Sequence, residues 1–249
     1  MNYKEEVAAL PEITGTDTWS VHRKNLRGEM KNNPDWKNFK TWSTVRATIF
    51  SGTKTPNVPA QRKMCAGSAW GKALGNYDNE NGTVIHQAYS LWLYEKVVGR
   101  SLDEDDRYVE FGGGYGEMAR LVYIVVAPDE YLVYDLPEMA ILQRWYFDTY
   151  IGKTTDLVAT SDMDDVRNFG NPTVLASICA ISEAPMDVKV EFLEACPAES
   201  LLIRYQPLWD KINNRKLFTE FAEDRYDDVH HSHAPEFKNH SYLIAWNPK

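Results

Sequence analysis

The residues best suited to chemistry lie in one stretch, Glu110-Phe111-Gly112-Gly113-Gly114-Tyr115-Gly116-Glu117. Glycines free the backbone to take positive φ and let a ligand lie against the main chain. An apolar run from Tyr108 to Phe111 enters the stretch, and a helical pattern beginning at Glu117 leaves it. That is the setting of a nucleotide-binding turn. Glycine spacing leaves two cofactors open. The G-x-G-x-x-G/A pattern of a dinucleotide site fails from Gly112, where Glu117 takes the last small position, and fails from Gly113 at Tyr115. From Gly114 it succeeds, through Gly116 and Ala119. The acids tip the balance. Glu110 and Glu117 would repel two phosphates, whereas a ligand carrying an ammonium and a sulfonium gains from both. S-adenosylmethionine is favoured over a nicotinamide dinucleotide.

A second acid supports an adenosine ligand. Asp135, with Leu136 beside it, follows the apolar run Tyr131 to Tyr134 and can accept from ribose hydroxyls. Further on, Ser161-Asp162-Met163-Asp164-Asp165 allows two readings. Either Asp162 accepts from an adenine amino group while Met163 packs on the ring, or the acids open a helix, favoured by its dipole. Candidate bases are Glu183, His86 and the cluster His230-His231-Ser232-His233. Glu183 ranks first, because it follows the carboxyl end of a central strand, where open α/β sheets bind ligands. In a strand only His231 and His233 of the cluster share a face, and their spacing matches no zinc motif. No metal site is therefore expected. Asp162, Asp164, Asp165, Asp227 and Asp228 are compatible with Mg²⁺, which needs only one or two carboxylates plus waters, but nothing specifically supports it.

These groups need elements to hold them. From Tyr108 onward, short apolar runs alternate with helical patterns. Strands are predicted at Tyr108–Phe111, Tyr131–Tyr134, Asp156–Thr160, Thr173–Ile178 and Ser200–Tyr205. Helices are predicted at Glu117–Val126, Glu138–Tyr150 and Asp187–Ala195. That order implies an α/β fold, a Rossmann-like, doubly wound, mostly parallel sheet covered on both faces. Two β-like segments between Tyr226 and Trp246 add an antiparallel C-terminal hairpin. Before Tyr108, Thr83 to Val98 reads as an amphipathic helix closed by Gly99. Asp17 is placed to cap a helix through Trp19, His22 and Leu26, and Pro34-Asp35 to open one through Trp36, Phe39, Trp42 and Val45. Ser51 to Pro59 is a turn-rich connection and Asn79-Glu80-Asn81-Gly82 a break. The division is a helical cap and substrate region over 1–82 and a cofactor-binding domain over 83–249.

Composition limits the partners. The chain has 249 residues, 43% hydrophobic and 25% charged, as in ordinary globular proteins. Its longest apolar run, Leu121 to Ala127, falls far short of the roughly 20 residues that cross a bilayer. The start MNYKEEVAAL lacks the layout of a secretory signal, and Cys65, Cys179 and Cys196 form no CxxC pair. A cytoplasmic protein with reduced thiols is expected. Residues 1–100 hold 14 Lys/Arg against 9 Asp/Glu, whereas the rest of the chain is acidic and the whole has net charge −9. A globally acidic chain argues against nucleic acid as partner. Oligomeric state stays open, a homodimer included.

With these residues in view, the chain resembles the class I S-adenosylmethionine-dependent methyltransferases, and within them the sugar O-methyltransferase family. The likeness is carried by Val84-Ile85-His86-Gln87-Ala88-Tyr89-Ser90-Leu91, by Val109 to Arg120 followed by Tyr134-Asp135-Leu136-Pro137-Glu138, and by Ile181-Ser182-Glu183-Ala184-Pro185. It covers residues 83 to 206, about half of the chain. The resemblance implies that Glu110, Gly112, Gly114 and Gly116 line the methionine end of the cofactor, with Asp135 at its ribose. It also implies that Ser182-Glu183 lies beside the transferred methyl group. Ala184 departs from the methionine seen in the family, a change that enlarges the acceptor pocket. The expected activity is O-methylation of a small hydroxylated acceptor, a sugar or glycoside. N- or C-methylation of a small metabolite and a non-catalytic cofactor-binding interaction module are the alternatives. Trp19, Trp36, Trp42 and Trp70 offer stacking faces for sugar rings, or serve as core.

Overall fold

Runs such as Val174-Leu175-Ala176 and Leu201-Leu202-Ile203 are apolar on consecutive residues, so both faces of their strands must be covered. The computed structural model describes residues 2–33, 35–46, 58–76, 82–152, 154–234 and 239–249. It places β1 (Arg107–Phe111), β2 (Glu130–Tyr134), β3 (Leu157–Thr160), β4 (Val174–Ile178) and β5 (Ser200–Tyr205) in one parallel array, ordered β3-β2-β1-β4-β5. A small hairpin follows, β6 (Leu208–Trp209) and β7 (Ile212–Asn213). The tail returns as β8 (Tyr226–His233) and β9 (Ser241–Pro248), with β9 antiparallel to β5 and β8 at the edge. The expected α/β class with an antiparallel C-terminal hairpin holds.

Besides a short turn at 43–46, the described residues form eleven α-helices, some on the sheet and others packed on one another. They are α1 (Tyr3–Ala9), α2 (Thr18–Asn32), α3 (Val58–Cys65), α4 (Ala69–Ala73), α5 (Gly82–Val98), α6 (Glu117–Val125), α7 (Pro137–Tyr150), α8 (Met163–Phe169), α9 (Ala180–Glu183), α10 (Met186–Ala195) and α11 (Asn214–Arg225). Alternation along β1 divides the core in two. Tyr108 packs with the N-terminal helices, α5, α6 and α7, whereas Val109 packs with α8, α10 and α11. Fully buried side chains such as Phe192 and Phe218 contribute roughly 1.5–3 kcal/mol each.

Asp17 caps α2 as expected, accepting from the backbone N–H groups of Trp19 and Ser20 at 3.0 Å each. Gly99, at φ +80°, closes α5. The predicted helix through Trp36 and Val45 breaks. Asp35 caps a 3-10 helix, Trp36–Thr41, which stops at an extended Trp42. Glu29 causes the restart: its carboxylate accepts from the Ser43 backbone N–H at 2.7 Å and from the Ser43 hydroxyl at 2.6 Å, capping a new turn from another helix. Such a long-range cap leaves no local signal. Most of the turn-rich connection (51–57), the break at 79–81 and Pro34 lie outside the described residues.

Candidate functional site

After β1 the chain winds to β2 and β3 on one side, then crosses back to β4 on the other. The crevice outside the carboxyl ends of β1 and β4 is where such sheets bind ligands. A cavity of about 520 Å³ opens there. One end is built by the glycine turn. Gly112 takes φ +72°, and a Cβ on it would stand 2.1 Å from the Ala180 Cβ. Only glycine lets the β1 turn pass under α9. Gly116 takes φ +97° at the start of α6, where a Cβ would meet the Phe147 ring at 2.4 Å.

Glu110 ends up 2% exposed at the floor of this cavity and accepts from the Tyr131 hydroxyl at 2.9 Å. Burial pushes its carboxyl up to about 8, opposed by the Tyr131 hydrogen bond and aided by the charge of Asp135. Asp135 follows β2 at the cavity wall. It accepts from the Leu136 backbone N–H at 2.7 Å and from Gln143 Nε2 at 2.8 Å, and Gln143 also donates to the Gly114 carbonyl at 2.6 Å. The β2 tip and the glycine turn are thereby tied together. Burial pushes the Asp135 carboxyl up to about 7 against the pull of these donors.

The cavity thus brings together Glu110, Gly112, Gly113, Gly114, Tyr115, Asp135 and Leu136. Gly116 lies behind, at the helix start. Asp162 and Met163 are not in the lining. Asp162 caps α8 by accepting from the Asp164 backbone N–H at 2.9 Å, and Met163 packs against the core on the α8 side. Here the helix-start reading describes the local structure.

The other end of the cavity is assembled from distant segments. Cys179, after β4, takes φ +75°, a left-handed conformation costly for a residue with a side chain. Its backbone N–H donates to the Arg204 carbonyl at 2.7 Å, and its carbonyl accepts from the Ser182 hydroxyl at 2.6 Å. This turn aims Glu183 at the cavity, where Gln206 Nε2 donates to Oε1 at 2.8 Å. Burial raises the Glu183 carboxyl, and both Gln206 and Lys189 pull it back. Ser182 is fully buried and turned into the fold rather than toward the cavity, and Ala184 packs in the core beneath. Neither lines the cavity, so the expected enlargement by Ala184 has no counterpart in its walls.

His86, on α5, is 2% exposed, lines the cavity, and places Nδ1 against Gln61 Oε1 at 2.5 Å. His231 and His233 share a face of β8, as alternation requires, but that face is exposed and belongs to the sheet edge. It is His240, just before β9, that reaches the cavity. Burial and the nearby Arg204 push its imidazole down to about 4. Sequence reasoning passed over His240, because an isolated histidine beside a polar loop carries no spacing signal. Arg204, Gln206 and Trp209 were missed for the same reason. Among the described residues no three His, Cys, Asp or Glu side chains gather to hold a metal ion.

Of the four tryptophans considered for stacking, only Trp19 lines the cavity. Trp36, Trp42 and Trp70 are 4%, 5% and 1% exposed and belong to the core. Trp19 comes from α2, donates Nε1 to the Glu183 carbonyl at 3.2 Å and stands edge-on to His22. Below it, α2 is fastened to α7 through Glu138, fully buried in the first turn of that helix. Arg23 Nε donates to it at 2.8 Å, and Arg27 donates from Nε at 3.1 Å and from Nη2. Burial opposes ionisation, yet these guanidinium hydrogen bonds hold the carboxyl below its usual range. The second indole is Trp209, on the β6–β7 hairpin. Asp210 and Lys211 make its turn at φ +43° and +67°.

No family model matches this chain, and no curated protein matches it. Among solved structures it is similar to the precorrin-6y C5,15-methyltransferase from Geobacter metallireducens GS-15, with 12% identity over 68% of this chain and 90% of that one and a TM-score of 0.45. It is similar to the methyltransferase domain of bacterial CtHen1-C, with 10% identity over 65% of this chain and 97% of that one and a TM-score of 0.46. A chain of a fibrillarin/Nop5p complex gives 13% identity over 62% of this chain and 79% of that one, with a TM-score of 0.45.

Proposed function

We propose that this chain is an S-adenosylmethionine-dependent O-methyltransferase whose acceptor is a small hydroxylated molecule, a sugar or glycoside. One observation carries the reading. A bare glycine turn with two carboxylates, the buried Glu110 and the half-buried Asp135, shares a single cavity with the carboxylate of Glu183. The residues fit the cofactor. Gly112 combines positive φ with a close approach to Ala180 that only glycine allows, so the turn presents bare main chain to the cavity, and Glu110 sits where an ammonium would restore its ionised form. Asp135 stands one strand away, in reach of a ribose if the methionine end lies at Glu110. Among the described residues no run of phosphate-binding cations lines the turn.

When bound, S-adenosylmethionine supplies an electrophilic methyl group on a sulfonium leaving group. The chain's own residues must align the acceptor and take its proton. Glu183 accepts that proton at the carboxylate oxygen not held by Gln206, and its raised carboxyl pKa brings it nearer to the working pH. His86, which lines the same cavity, is the second candidate. Trp19 and Trp209 offer apolar faces for a ring, and Gln87 and Gln206 offer amides for its hydroxyls. Residues 1–82 serve as the cap through α2, over a cofactor domain of 83–249. Holding the reactants in register supplies several kcal/mol. The free cysteines and absence of a membrane-length helix among the described residues fit a cytoplasmic enzyme. The acidic net charge favours a small acceptor over nucleic acid.

The test incubates the purified chain with trideuteromethyl-labelled S-adenosylmethionine and a panel of glycosides and amines. Label transferred to a glycoside hydroxyl is the expected result. Label found only on amines, or on no acceptor while the cofactor binds, overturns the O-methyl assignment.

A further inference from the structure

Behind Glu183 lies a buried polar network that proton acceptance by itself does not explain. Lys189, on α10, is fully buried. Its Nζ donates to the Ser182 carbonyl at 2.9 Å and to Asn214 Oδ1 at 2.7 Å. Asn214, fully buried at the start of α11, donates through Nδ2 to the same Ser182 carbonyl and to the Gln206 carbonyl, each at 2.9 Å. Gln206 closes the circuit, donating its backbone N–H to Ser182 Oγ at 3.2 Å and its amide to Glu183. The start of α10, the residue after β5 and the start of α11 therefore converge on the one turn that presents Glu183.

A buried ammonium is expensive, and neutral acceptors offset only part of its desolvation. If the network merely tied these elements together, a neutral side chain would do so at lower cost. Among the described residues Lys189 makes no direct ion pair, and Glu183 is the one charged group that acts on it, while it is the one charged group that acts on Glu183. We infer that Lys189 is a positioning residue for Glu183: its ammonium clamps the Ser182 carbonyl to fix the turn, and its charge favours the ionised, proton-accepting carboxylate. Asn214 orients the clamp by accepting from Lys189 while donating to Ser182. The inference rests on reading Glu183 as the acceptor's base, but the charge coupling is a property of the chain alone. Loss of cofactor binding would sink the methyl-transfer reading and leave this coupling standing.

The test follows the Glu183 side-chain carboxyl by NMR in the full chain labelled with ¹³C-glutamate, the signal being assigned with Glu183→Gln. Burial brings the Lys189 ammonium down to about 8. The unaltered chain is expected to show a main titration step for Glu183 and a smaller second inflection near 8, when Lys189 loses its proton. In Lys189→Met the second inflection disappears and the main midpoint rises by about one pH unit. Lys189→Arg, which keeps the charge, restores a lower midpoint. A single-step curve in the unaltered chain overturns the inference, as does an unchanged midpoint in a folded Lys189→Met variant. Should Lys189→Met not fold, the inflection in the unaltered chain decides.

Discussion

The two ends of the cavity are built in opposite ways. At the proposed cofactor end, Glu110, the glycine turn and Asp135 come from residues 110–136, at the tips of two adjacent strands, and their partners Tyr131 and Gln143 lie close by in sequence. At the proposed acceptor end, Trp19, His86, Glu183, the pair Gln206 and Trp209, and His240 come from five separated stretches of the chain. A local motif can hold the part of a ligand that stays constant. Specificity for the variable partner is left to long-range assembly, where one segment can change without disturbing the others.

The ends should therefore fail separately. Glu183→Gln is expected to lower methyl transfer by roughly 10²- to 10⁴-fold, the usual worth of a positioned base, with cofactor affinity nearly unchanged. Rates and calorimetric affinities measured on the same preparation check this, and a variant that loses both would join the two ends into one unit. Gly112→Val should do the reverse. A side chain at φ +72° pressed onto Ala180 should weaken binding of S-adenosylhomocysteine, the demethylated cofactor, by about 100-fold. Near-normal affinity would show that the turn does not cradle the ligand.

Acidity separates the ends more gently. The Glu110 carboxyl, at about 8 rather than its usual 4.5, is largely protonated at neutral pH in the free chain. A bound cation favours the ionised form. Affinity for S-adenosylmethionine should therefore climb with pH, by up to about tenfold per unit, and level off above about 8. Glu110→Gln should flatten the profile. The folded free chain holds this proton where the unfolded chain has lost it, so the group's contribution to folding stability falls as pH rises from 4.5 to about 8. Affinity that falls with pH would contradict the assignment of Glu110. The smallest effect is expected from Trp209→Ala, a KM increase of about threefold to tenfold for a ring-bearing acceptor, with kcat little changed. An unchanged KM would remove the hairpin from the acceptor site.

The same division governs what could be read from residues alone. The strand limits of β2 and β5, the glycine turn and the Asp17 cap rest on periodicity and local hydrogen bonding, and they match the structure to within a residue. The interruption at Trp42 does not, because Glu29 supplies its cap from 14 residues away. Tryptophan type alone could not sort Trp19 from Trp36, Trp42 and Trp70, since packing against Trp145 and the rest of the core decides which indole is left at the cavity. The histidine cluster drew attention by composition, yet strand pairing sends His231 and His233 to an exposed edge. The lone His240 reaches the crevice through the return of β9 beside β5.

The central claim is that the crevice above β1 and β4 welcomes an adenosyl ligand with a cationic tail. Titrating the full chain with S-adenosylhomocysteine in a calorimeter, with NAD as the rival ligand, tests it most directly. Saturable heat from a single site, with affinity about 100-fold weaker in Gly112→Val and no heat with NAD, is the predicted result. No heat with the homocysteine compound alongside saturable binding of NAD would contradict it.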